Sequence, residues 1–353
     1  MKKLFKIPLY LIIILVAIFI IYLIAMMVTD YKPKEIETVG IENNSSEKIE
    51  KDKKYSITTM NIGYGGLDKG QDFFMDGGTG SRSISLEKTK ENINNIFSSI
   101  VNKNPHFIFL QEVDKKSTRS FKFNEYEFIK DGLKEYASTF ATNYKVFWVP
   151  LPLLKPHGTV NSGIANFSIY NIEKSTRYQF AGEEDKWPKY LAMLDRCFLE
   201  NRLRLSSGKE LILINAHLSA YDKNGQARLM QMDYLKNHVE KEYEKGNYVL
   251  VGGDFNNVMP GSDLKKFNGS KHKPEWLQYM PEELIPKNFK VAIDKNIPTN
   301  RDVNIPYTKG ENFVSIIDGF MVSPNIDVIS VSTEDMQFKY SDHNPVTMDF
   351  ILR

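Results

Sequence analysis

The sequence predicts a layered α/β sandwich that follows one membrane-spanning helix. Short runs rich in β-branched and aromatic residues recur after residue 54, and they are bounded by Gly, Asn or Pro, as strands are. Amphipathic stretches with helical spacing lie between these runs, and strands covered by such helices form layers around an apolar core. A long uncharged run near the start of the chain predicts the membrane-spanning helix.

The composition of the 353-residue chain is that of a folded protein, and it restricts the chemistry of any site. Apolar residues make up 42% of the chain and charged residues 25%, which excludes wholesale disorder. Cys197 is the only cysteine, so the chain has no intramolecular disulfide framework and no multi-cysteine zinc site. Any site must therefore use oxygen and imidazole ligands.

The uncharged run from Ile7 to Val28 is predicted to be a transmembrane helix. Its 22 residues would span roughly 33 Å, enough to cross the hydrocarbon core of a bilayer. The residues before it include three lysines, Lys2, Lys3 and Lys6. This bias predicts that residues 1–6 stay in the cytoplasm and that the rest of the chain faces the outside of the cell. A cleaved signal peptide and a buried core helix are the alternatives, although the run exceeds the usual ~7–15 apolar residues of a signal peptide.

Residues 29–54 are predicted to form a flexible, charged tether. From Asp30 to Lys54, 13 of 25 residues are charged with mixed sign, and such a segment cannot bury enough apolar surface to order itself. Residues 1–54 contain nine basic and seven acidic residues, which leaves 37 of each in residues 55–353. This neutrality argues against a nuclease that grips a polyanion through many phosphate contacts.

Residues 55–353 are predicted to form one domain, because no linker interrupts them. The predicted strands are residues 55–60, 106–111, 164–170, 211–216, 248–252, 316–322 and 346–352. The two predicted helical faces consist of Ile93, Ile96, Phe97, Ile100 and Val101, and of Leu229, Met232, Leu235 and Val239. The polar stretches 65–82 and 268–286 are predicted to be surface excursions.

Polar side chains flank the predicted strands at the points where the apolar runs begin or end. They are Asn61, Glu112, His217, Asp254, Asn256, Asp318, Asp342 and His343. Charged groups next to buried strands must be hydrogen-bonded, paired or bound to metal. Their recurrence predicts one shared pocket at one edge of the sheets.

At these residues the sequence resembles the endonuclease/exonuclease/phosphatase superfamily, which includes DNase I-like nucleases, abasic-site endonucleases, neutral sphingomyelinases and inositol polyphosphate 5-phosphatases. The matching stretches, in the order of the family, are Thr59-Met-Asn61, Leu110-Gln-Glu112-Val-Asp, Asn215-Ala-His217-Leu, Gly252-Gly-Asp254-Phe-Asn256, Ile317-Asp318-Gly-Phe and Ser341-Asp342-His343-Asn-Pro. The resemblance implies a four-layer sandwich of two packed, mostly antiparallel β-sheets between helices. It also implies cleavage of phosphate esters that depends on Mg²⁺, with Mn²⁺ as an alternative.

The resemblance also implies a metal site and a group that activates water. Glu112 would be the main Mg²⁺ ligand, a hard carboxylate for a hard cation. Asn61 would help to hold the metal or a phosphate oxygen, and Asp342 would lie beside the metal or the water. Asp254 would orient or deprotonate the attacking water, while Asn256 would donate to a phosphate oxygen.

Two histidines complete the implied catalytic set. His343 would act on the scissile phosphate as acid–base or as imidazolium donor, and Asp318 would fix its tautomer and raise its pKa. His217 would contact phosphate or act as a general acid, and the abasic-site endonucleases generally lack a histidine at this point. Asn161 fits the phosphate-contacting asparagine of the family. Arg301 would clamp a second anionic group or, equally, would be a solvated arginine.

Two departures from the family pattern narrow the subfamily. Gly63 stands where abasic-site enzymes have an acidic residue, so a second carboxylate ligand is missing there. The Trp-Cys-Asp-Arg signature of 5-phosphatases is replaced by Val-Ser-Ile-Ile-Asp-Gly. Sphingomyelinase-like or DNase I-like chemistry, or an uncharacterised branch, remains.

The sequence therefore predicts a membrane-anchored, divalent-metal-dependent phosphodiesterase that acts on a lipid head group or a similar substrate. An extracellular DNase I-like endonuclease is the first alternative. A non-catalytic surface binding protein of the same fold is the second. The expected partners are the phosphate-ester substrate and the membrane through residues 7–28, with no obligate protein partner.

Overall fold

The computed structural model describes residues 6–182 and 185–353, and the described chain begins with a long apolar helix, α1 (Lys6–Thr29). The segment Ile7–Thr29 is long and apolar enough to cross a membrane, and only 6% of its most apolar window is buried in the protein. A signal sequence near the N-terminus can pass the same test of length and composition. Residues 1–5 of the predicted cytoplasmic tail lie outside the described residues.

The remaining elements alternate along the chain. The other helices are α2 (Leu86–Asn102), α3 (Glu125–Gly132), α4 (Gln226–Glu244) and α5 (Leu264–Asn268). The strands are β1 (Ile36–Thr38), β2 (Lys54–Asn61), β3 (Phe107–Asp114), β4 (Ala137–Val149), β5 (Gly158–Ser168), β6 (Lys174–Gln179), β7 (Cys197–Arg204), β8 (Glu210–His217), β9 (Tyr248–Asp254), β10 (Asn257–Val258), β11 (Gln278–Tyr279), β12 (Lys290–Ala292), β13 (Asn300–Arg301), β14 (Val314–Ser315), β15 (Asp318–Val322), β16 (Ile326–Thr333) and β17 (Val346–Leu352). All seven predicted strands correspond to observed strands, and the two predicted helical faces belong to α2 and α4.

Two large sheets form the centre of the molecule. The strand order is β1-β6-β7-β8-β9-β15-β12 in the seven-stranded sheet and β16-β17-β2-β3-β5-β4 in the six-stranded sheet. Within these two sheets the pairs β2–β3 and β8–β9 are parallel, while the other pairs are antiparallel. The predicted pair of mostly antiparallel sheets is thus confirmed.

The molecule has four layers: the two sheets lie against each other, and helices cover the outer face of each sheet. Phe107 and Phe109 of β3 pack against Leu211 and Leu213 of β8 in the core between the sheets. The intervening residues point outward: those of β3 pack on Ile93, Ile96 and Ile100 of α2. Those of β8 and β9 pack on Met232, Leu235 and Val239 of α4. Because strand side chains alternate between faces, each sheet is apolar on both faces and is covered on both.

The 29–54 segment differs from the predicted flexible tether, because it is bound along the domain. Ile36–Thr38 pairs antiparallel with β6, and the backbone of Glu42 bridges to Ser138 of β4. The side chain of Ile49 is 1% exposed in the core between the sheets. The number of charges in the segment does not predict this binding. The edge of the seven-stranded sheet pairs with its backbone, and the core between the sheets accepts its one buried isoleucine.

The two predicted surface excursions are also corrected. The 65–82 stretch buries Leu67 and Phe73, and the 268–286 stretch buries Leu277 and Met280. Both stretches contribute side chains to the wall of the cavity described below. Their polar composition hides a few apolar residues that fold inward over the strand ends.

The end of α1 packs against the domain beside β4. The Tyr22 hydroxyl donates a hydrogen bond to the backbone oxygen of Trp148 at 3.0 Å. Met26 is 3% exposed, and it packs in a cluster with Val149 and Leu191. This contact fixes which part of the domain lies next to the helix.

Candidate active site

The polar residues at the strand ends meet at one edge of the two sheets. Parallel pairing of β2 with β3 and of β8 with β9 places the carboxyl ends of these strands at the same edge. In the register of β8 and β9, His217 lies directly opposite Asp254. Asp318, the first residue of β15, lies opposite Asp254 in the antiparallel pair with β9. The predicted shared pocket therefore follows from strand order and register.

A cavity of about 540 Å³ opens at this edge. Its polar lining includes Asn61, Glu112, His217, Asp254, Asn256, Arg301, Asp342 and His343. Leu67, Phe73, Phe74, Val149, Leu151, Met193, Trp276 and Val303 line it as well. The cavity thus has a polar floor of charged groups and an extensive apolar wall, which is the usual composition of a pocket for an organic ligand.

Asp254 is the centre of the polar floor. One of its oxygens, Oδ2, accepts a hydrogen bond from the Asn61 amide at 3.1 Å and lies 3.6 Å from His217 Nε2. The other oxygen, Oδ1, accepts from the backbone N–H of Asn256 at 2.9 Å. Gly253 precedes it with φ of +142°, and a Cβ there would collide with the backbone of Ala216. This position requires glycine, which lets β8 and β9 approach closely beside the carboxylate.

His343 is held between two carboxylates and an amide. Its Nδ1 lies 2.9 Å from Asp318 Oδ2, and its Nε2 lies 3.8 Å from Asp254 Oδ2 and 3.1 Å from the amide nitrogen of Asn300. Burial alone would lower the pKa of His343, but the neighbouring carboxylates, Asp318 first, outweigh it and raise the pKa to about 10. His343 is therefore a cation at neutral pH.

His217 has the opposite protonation behaviour. Burial, and then the positive charge of Arg196, holds its pKa well below the ordinary value of 6.5. Its Nδ1 is buried and finds no hydrogen-bond partner among the described residues. The two histidines of the cavity thus differ in charge at neutral pH, which suits them to different tasks.

The residues predicted to hold a metal lie together on the other side of the floor. Glu112 adopts a left-handed backbone conformation, with φ of +55°, at an irregularity in the pairing of β3 with β5. Its Oε1 accepts a hydrogen bond from the Asn61 amide at 3.2 Å. Such a bulge re-aims a side chain out of the regular alternation, and here the carboxylate reaches the cavity.

The charges at this side of the floor fit a divalent cation. Burial raises the pKa of Asp342, and the Glu112 carboxylate raises it further by repulsion, while His343 acts against both. The partly exposed Glu112 and the buried Asp342 thus offer two carboxylates that repel each other, and carboxylates are the hard ligands that Mg²⁺ prefers. Ligand atoms of Asp254, Asp318 and His343 also lie within 4.8 Å of one another. In that group, however, His343 Nδ1 is already bonded to Asp318.

Asn256 lines the cavity with its amide partly engaged. Its Nδ2 donates to the backbone oxygen of Leu218 at 2.8 Å, and its backbone has a φ of +49°. The left-handed conformation turns the chain directly after Asp254, as expected for the Gly-Asp-Phe-Asn stretch. One amide hydrogen remains for a ligand oxygen.

The two predicted substrate-binding residues differ from the prediction. Asn161 precedes Ser162 in β5, and it is Ser162 that lines the cavity. Strand alternation therefore directs Asn161 to the opposite face. Arg301 lines the cavity but is 1% exposed, and its guanidinium donates to the backbone oxygens of Leu67, Asp68 and Gln71. It is a buried arginine that holds the 65–82 stretch, and it is not solvated.

Several polar residues of the cavity were missed in the sequence, and Arg119, Asn143 and Asn300 are three of them. Arg119 forms a bidentate pair with Asp114, with Nε–Oδ2 at 3.1 Å and Nη2–Oδ1 at 3.0 Å, and it lies 3.7 Å from Glu112. Asn143, 1% exposed at an irregularity of β4, has an amide nitrogen without a partner among the described residues. Asn300 contacts His343 and directly precedes the predicted Arg301. Only Asn300 had a signal in sequence, as the neighbour of a residue already singled out.

Comparison with known proteins agrees with this arrangement. The sequence model of one protein family, described as Endonuclease/Exonuclease/phosphatase family, matches residues 61–343 of the chain. No curated protein sequence matches the chain. The family match runs from Asn61 to His343, the first and last residues of the polar floor in sequence order.

Solved structures show similarity in fold at low sequence identity. An endonuclease/exonuclease/phosphatase from Beutenbergia cavernae DSM 12333 is 15% identical, with a TM-score of 0.55 over 85% of this chain and 72% of that one. The catalytic domain of human Nocturnin is 18% identical, with a TM-score of 0.53 over 89% and 98%. ANGEL2, a 2',3'-cyclic phosphatase, is 15% identical, with a TM-score of 0.54 over 90% and 99%.

Proposed function

The chain belongs to the endonuclease/exonuclease/phosphatase family, and we propose that it is a membrane-anchored, divalent-metal-dependent phosphodiesterase. One observation carries the proposal: side chains from separate strand ends converge on one cavity, where carboxylates, a cationic imidazole and a neutral imidazole share the floor. Hydrolysis of a phosphate ester needs charge neutralisation and an oriented water, and this set supplies groups for both.

We assign the metal to Glu112, Asn61 and Asp342. A bound Mg²⁺, or Mn²⁺ in its place, would polarise a phosphate oxygen and relieve the repulsion between the two carboxylates. The Asn61 amide bridges this side to Asp254, because its nitrogen reaches both Glu112 Oε1 and Asp254 Oδ2. The metal ligands and the water-activating carboxylate are thus fixed relative to each other.

We assign the attack step to Asp254 and the two histidines. Burial, and then the neighbouring Asp318 carboxylate, raises the pKa of Asp254, which makes it a better proton acceptor than an exposed aspartate. The His343 cation can donate to a phosphate oxygen and stabilise the negative charge that develops there. His217, which is neutral, lies 3.6 Å from Asp254 and can position the water between them.

The apolar wall of the cavity supports a substrate with an apolar part, such as a phospholipid. Val149 and Leu151 of this wall follow directly on the part of β4 that contacts α1. A nuclease that grips a polyanion through many phosphates usually carries an excess of basic residues, whereas residues 55–353 carry equal numbers of basic and acidic residues. A lipid head group therefore fits the site better than nucleic acid does.

The proposal is tested by a substrate panel on the purified full chain. We expect metal-dependent hydrolysis of bis(p-nitrophenyl) phosphate and of a phospholipid in vesicles, and less hydrolysis of DNA and RNA. Glu112→Gln serves as the blank, and chelation by EDTA should stop turnover. Absence of hydrolysis with every substrate and with both Mg²⁺ and Mn²⁺ would favour a binding protein of this fold instead.

A further inference from the structure

An exposed apolar loop lies at the edge of the six-stranded sheet. It comprises residues 147–155, from the end of β4 into the connection to β5, and is called the apolar loop here. Leu154 is fully exposed, Leu153 is 82% exposed and Leu151 is 52% exposed, while Phe147 and Trp148 are also exposed. A soluble protein rarely exposes a contiguous apolar patch without a partner for it.

The apolar loop is held outward by its backbone. The N–H of His157 donates to the oxygen of Leu151 at 2.8 Å, which closes the base of the loop. The Ser81 hydroxyl donates to the oxygen of Lys155 at 2.5 Å. These bonds hold Leu153 and Leu154 at the tip, so their exposure is a property of an ordered turn.

The position of α1 places the apolar loop at the surface of the membrane. The Tyr22 hydroxyl bonds to the oxygen of Trp148, and Tyr22 precedes the last helical residue, Thr29, by seven positions. At about 1.5 Å per residue, Trp148 lies roughly 10 Å deeper along the helix than its end. If α1 spans a bilayer, that depth lies in the outer half of the hydrocarbon core, so the apolar loop beside Trp148 meets the lipid.

The cavity opens beside the same loop. Val149 and Leu151 belong to the apolar loop and also line the cavity. Asp185 and Lys189 also line the cavity, and Trp187, which is 59% exposed, lies between them in sequence. Two segments that carry exposed apolar side chains thus contribute residues to the cavity lining.

We propose that the apolar loop and Trp187 insert into the bilayer that holds α1, so that the cavity receives phosphodiesters directly from the lipid surface. This inference rests on the proposed function, because it names the lipid surface as the source of the substrate. The leucines and Trp148 would enter the acyl region, while Trp187 and Lys155 would lie at the level of the head groups. The apolar wall from Leu151 inward then continues the hydrocarbon surface to the polar floor.

The insertion is measured by tryptophan quenching, which does not depend on activity. The full chain is placed in phosphatidylcholine vesicles with or without brominated acyl chains. The chain has three tryptophans, and a Trp148→Phe, Trp187→Phe variant leaves Trp276 alone. We expect bromolipid to quench at least half of the native fluorescence and to quench Trp276 little. Leu154→Asp should reduce the quenching, because a charge at the tip resists burial in lipid.

A second measurement links insertion to substrate delivery. We expect Leu154→Asp to lower hydrolysis of vesicle phospholipid at least tenfold while hydrolysis of bis(p-nitrophenyl) phosphate stays unchanged. Ile329→Asp is the matched control, since Ile329 is 51% exposed on β16, at the opposite edge of the sheet from β4. This control should change neither rate. Leu153→Asp repeats the test at an independent position.

The outcomes separate this inference from the proposed function. Native fluorescence that bromolipid leaves unquenched, or equal quenching in native protein and both leucine variants, would overturn insertion even if the chain hydrolyses phosphodiesters. Dimerisation abolished by Leu154→Asp without lipid quenching would assign the apolar loop to a second copy of the chain and would also overturn it. Quenching without hydrolysis of any substrate would uphold insertion and reject the proposed function.

Discussion

His343 shows how a single residue obtains its charge from its surroundings. Its ring is buried, which by itself disfavours the cation, yet the carboxylate of Asp318 contacts one nitrogen at 2.9 Å and Asp254 lies near the other. The attraction exceeds the cost of burial, and the pKa rises to about 10. His343 is therefore assigned as a donor to the phosphate, and loss of its proton should end that role.

A prediction about pH follows for Asp318→Asn. We expect the native rate to fall only at alkaline pH, above the raised pKa of His343, because the protonated ring is the active form. Removal of the Asp318 charge disfavours the cation, so the pKa falls and this alkaline limb moves to lower pH. The measurement is kcat for bis(p-nitrophenyl) phosphate from pH 6 to 11 at saturating Mg²⁺.

The control for this experiment is Asp335→Asn, at an exposed aspartate outside the cavity lining. It should leave the pH profile in place. An alkaline limb at the same pH in Asp318→Asn and in the native chain would contradict the pairing of Asp318 with His343 as the source of the charge.

Glu112→Gln should remove metal-dependent turnover and leave the fold intact. The carboxylate lines the cavity at the end of β3, so an amide of the same shape removes the charge without a large change in packing. We expect Mg²⁺ affinity to fall at least tenfold in isothermal titration, with an unchanged melting temperature. Glu135→Gln, an exposed glutamate, is the control. Undiminished Mg²⁺ affinity in Glu112→Gln would refute the assignment as a ligand.

Arg119→Met should destabilise the protein strongly. Asp114, which is 0% exposed, would lose its bidentate partner and remain as an uncompensated buried charge. Such a loss typically costs about 3–5 kcal/mol, measurable by urea unfolding. Arg353→Met is the contrast, since Arg353 pairs with Asp327 and Asp52 at the surface, where water screens the charges, and its loss should change the unfolding free energy little. Equal effects of the two substitutions would show that Arg119 is not structurally important.

At the scale of elements, the 29–54 segment is part of the sandwich. Its short strand β1 extends the seven-stranded sheet, and Ile49 fills the space between the sheets. Ile49 packs in the same cluster as Tyr55, the second residue of β2. A fragment that begins at residue 55 therefore lacks an edge strand and a core side chain.

Ile49→Ala should cost about 2–5 kcal/mol of unfolding free energy, because truncation of a buried isoleucine leaves a cavity. Ile36→Ala lies in the same segment, but Ile36 is 58% exposed, so its cost should stay within about 0.5 kcal/mol. Chemical unfolding of the full chain in detergent measures both. A cost for Ile49→Ala as small as that for Ile36→Ala would restore the picture of a free tether.

At the scale of the whole molecule, the binding of this segment limits the distance between helix and domain. Only residues 30–35 lie between α1 and β1. The sheet edge that carries the cavity thus stays beside the end of the helix, where the apolar loop is also found. The arrangement favours a substrate at the surface of the same membrane.

The proposed outward orientation predicts where a protease can cut. Lys34 is exposed in this short connection, whereas the residues from Ile36 onward are paired in β1. Trypsin, which does not cut the Lys32–Pro33 bond, should therefore release from intact cells that express the chain a folded fragment that begins after Lys34. Cleavage seen only after lysis would place the domain in the cytoplasm.

The sequence by itself determined the family, the main layers and the identity of most residues of the polar floor. These properties are local: apolar runs make strands, and a polar residue that ends such a run lies at the edge of its sheet. Asn61, Glu112, His217, Asp254, Asp318 and His343 could be named for this reason. Parallel pairing then gathers strand ends at one edge without further information.

Only the tertiary structure decided which residues complete the cavity. Asn143 lines it because of an irregularity in β4, and Arg119 lines it because it is held in a buried ion pair with Asp114. The alternation of side chains along β5 turns Asn161 away from the cavity. Backbone oxygens accept hydrogen bonds from the guanidinium of Arg301. The order of the 29–54 segment likewise depends on a distant sheet edge. Contacts between residues far apart in the chain determine these features, whereas composition and spacing describe only residues that are close together in the sequence.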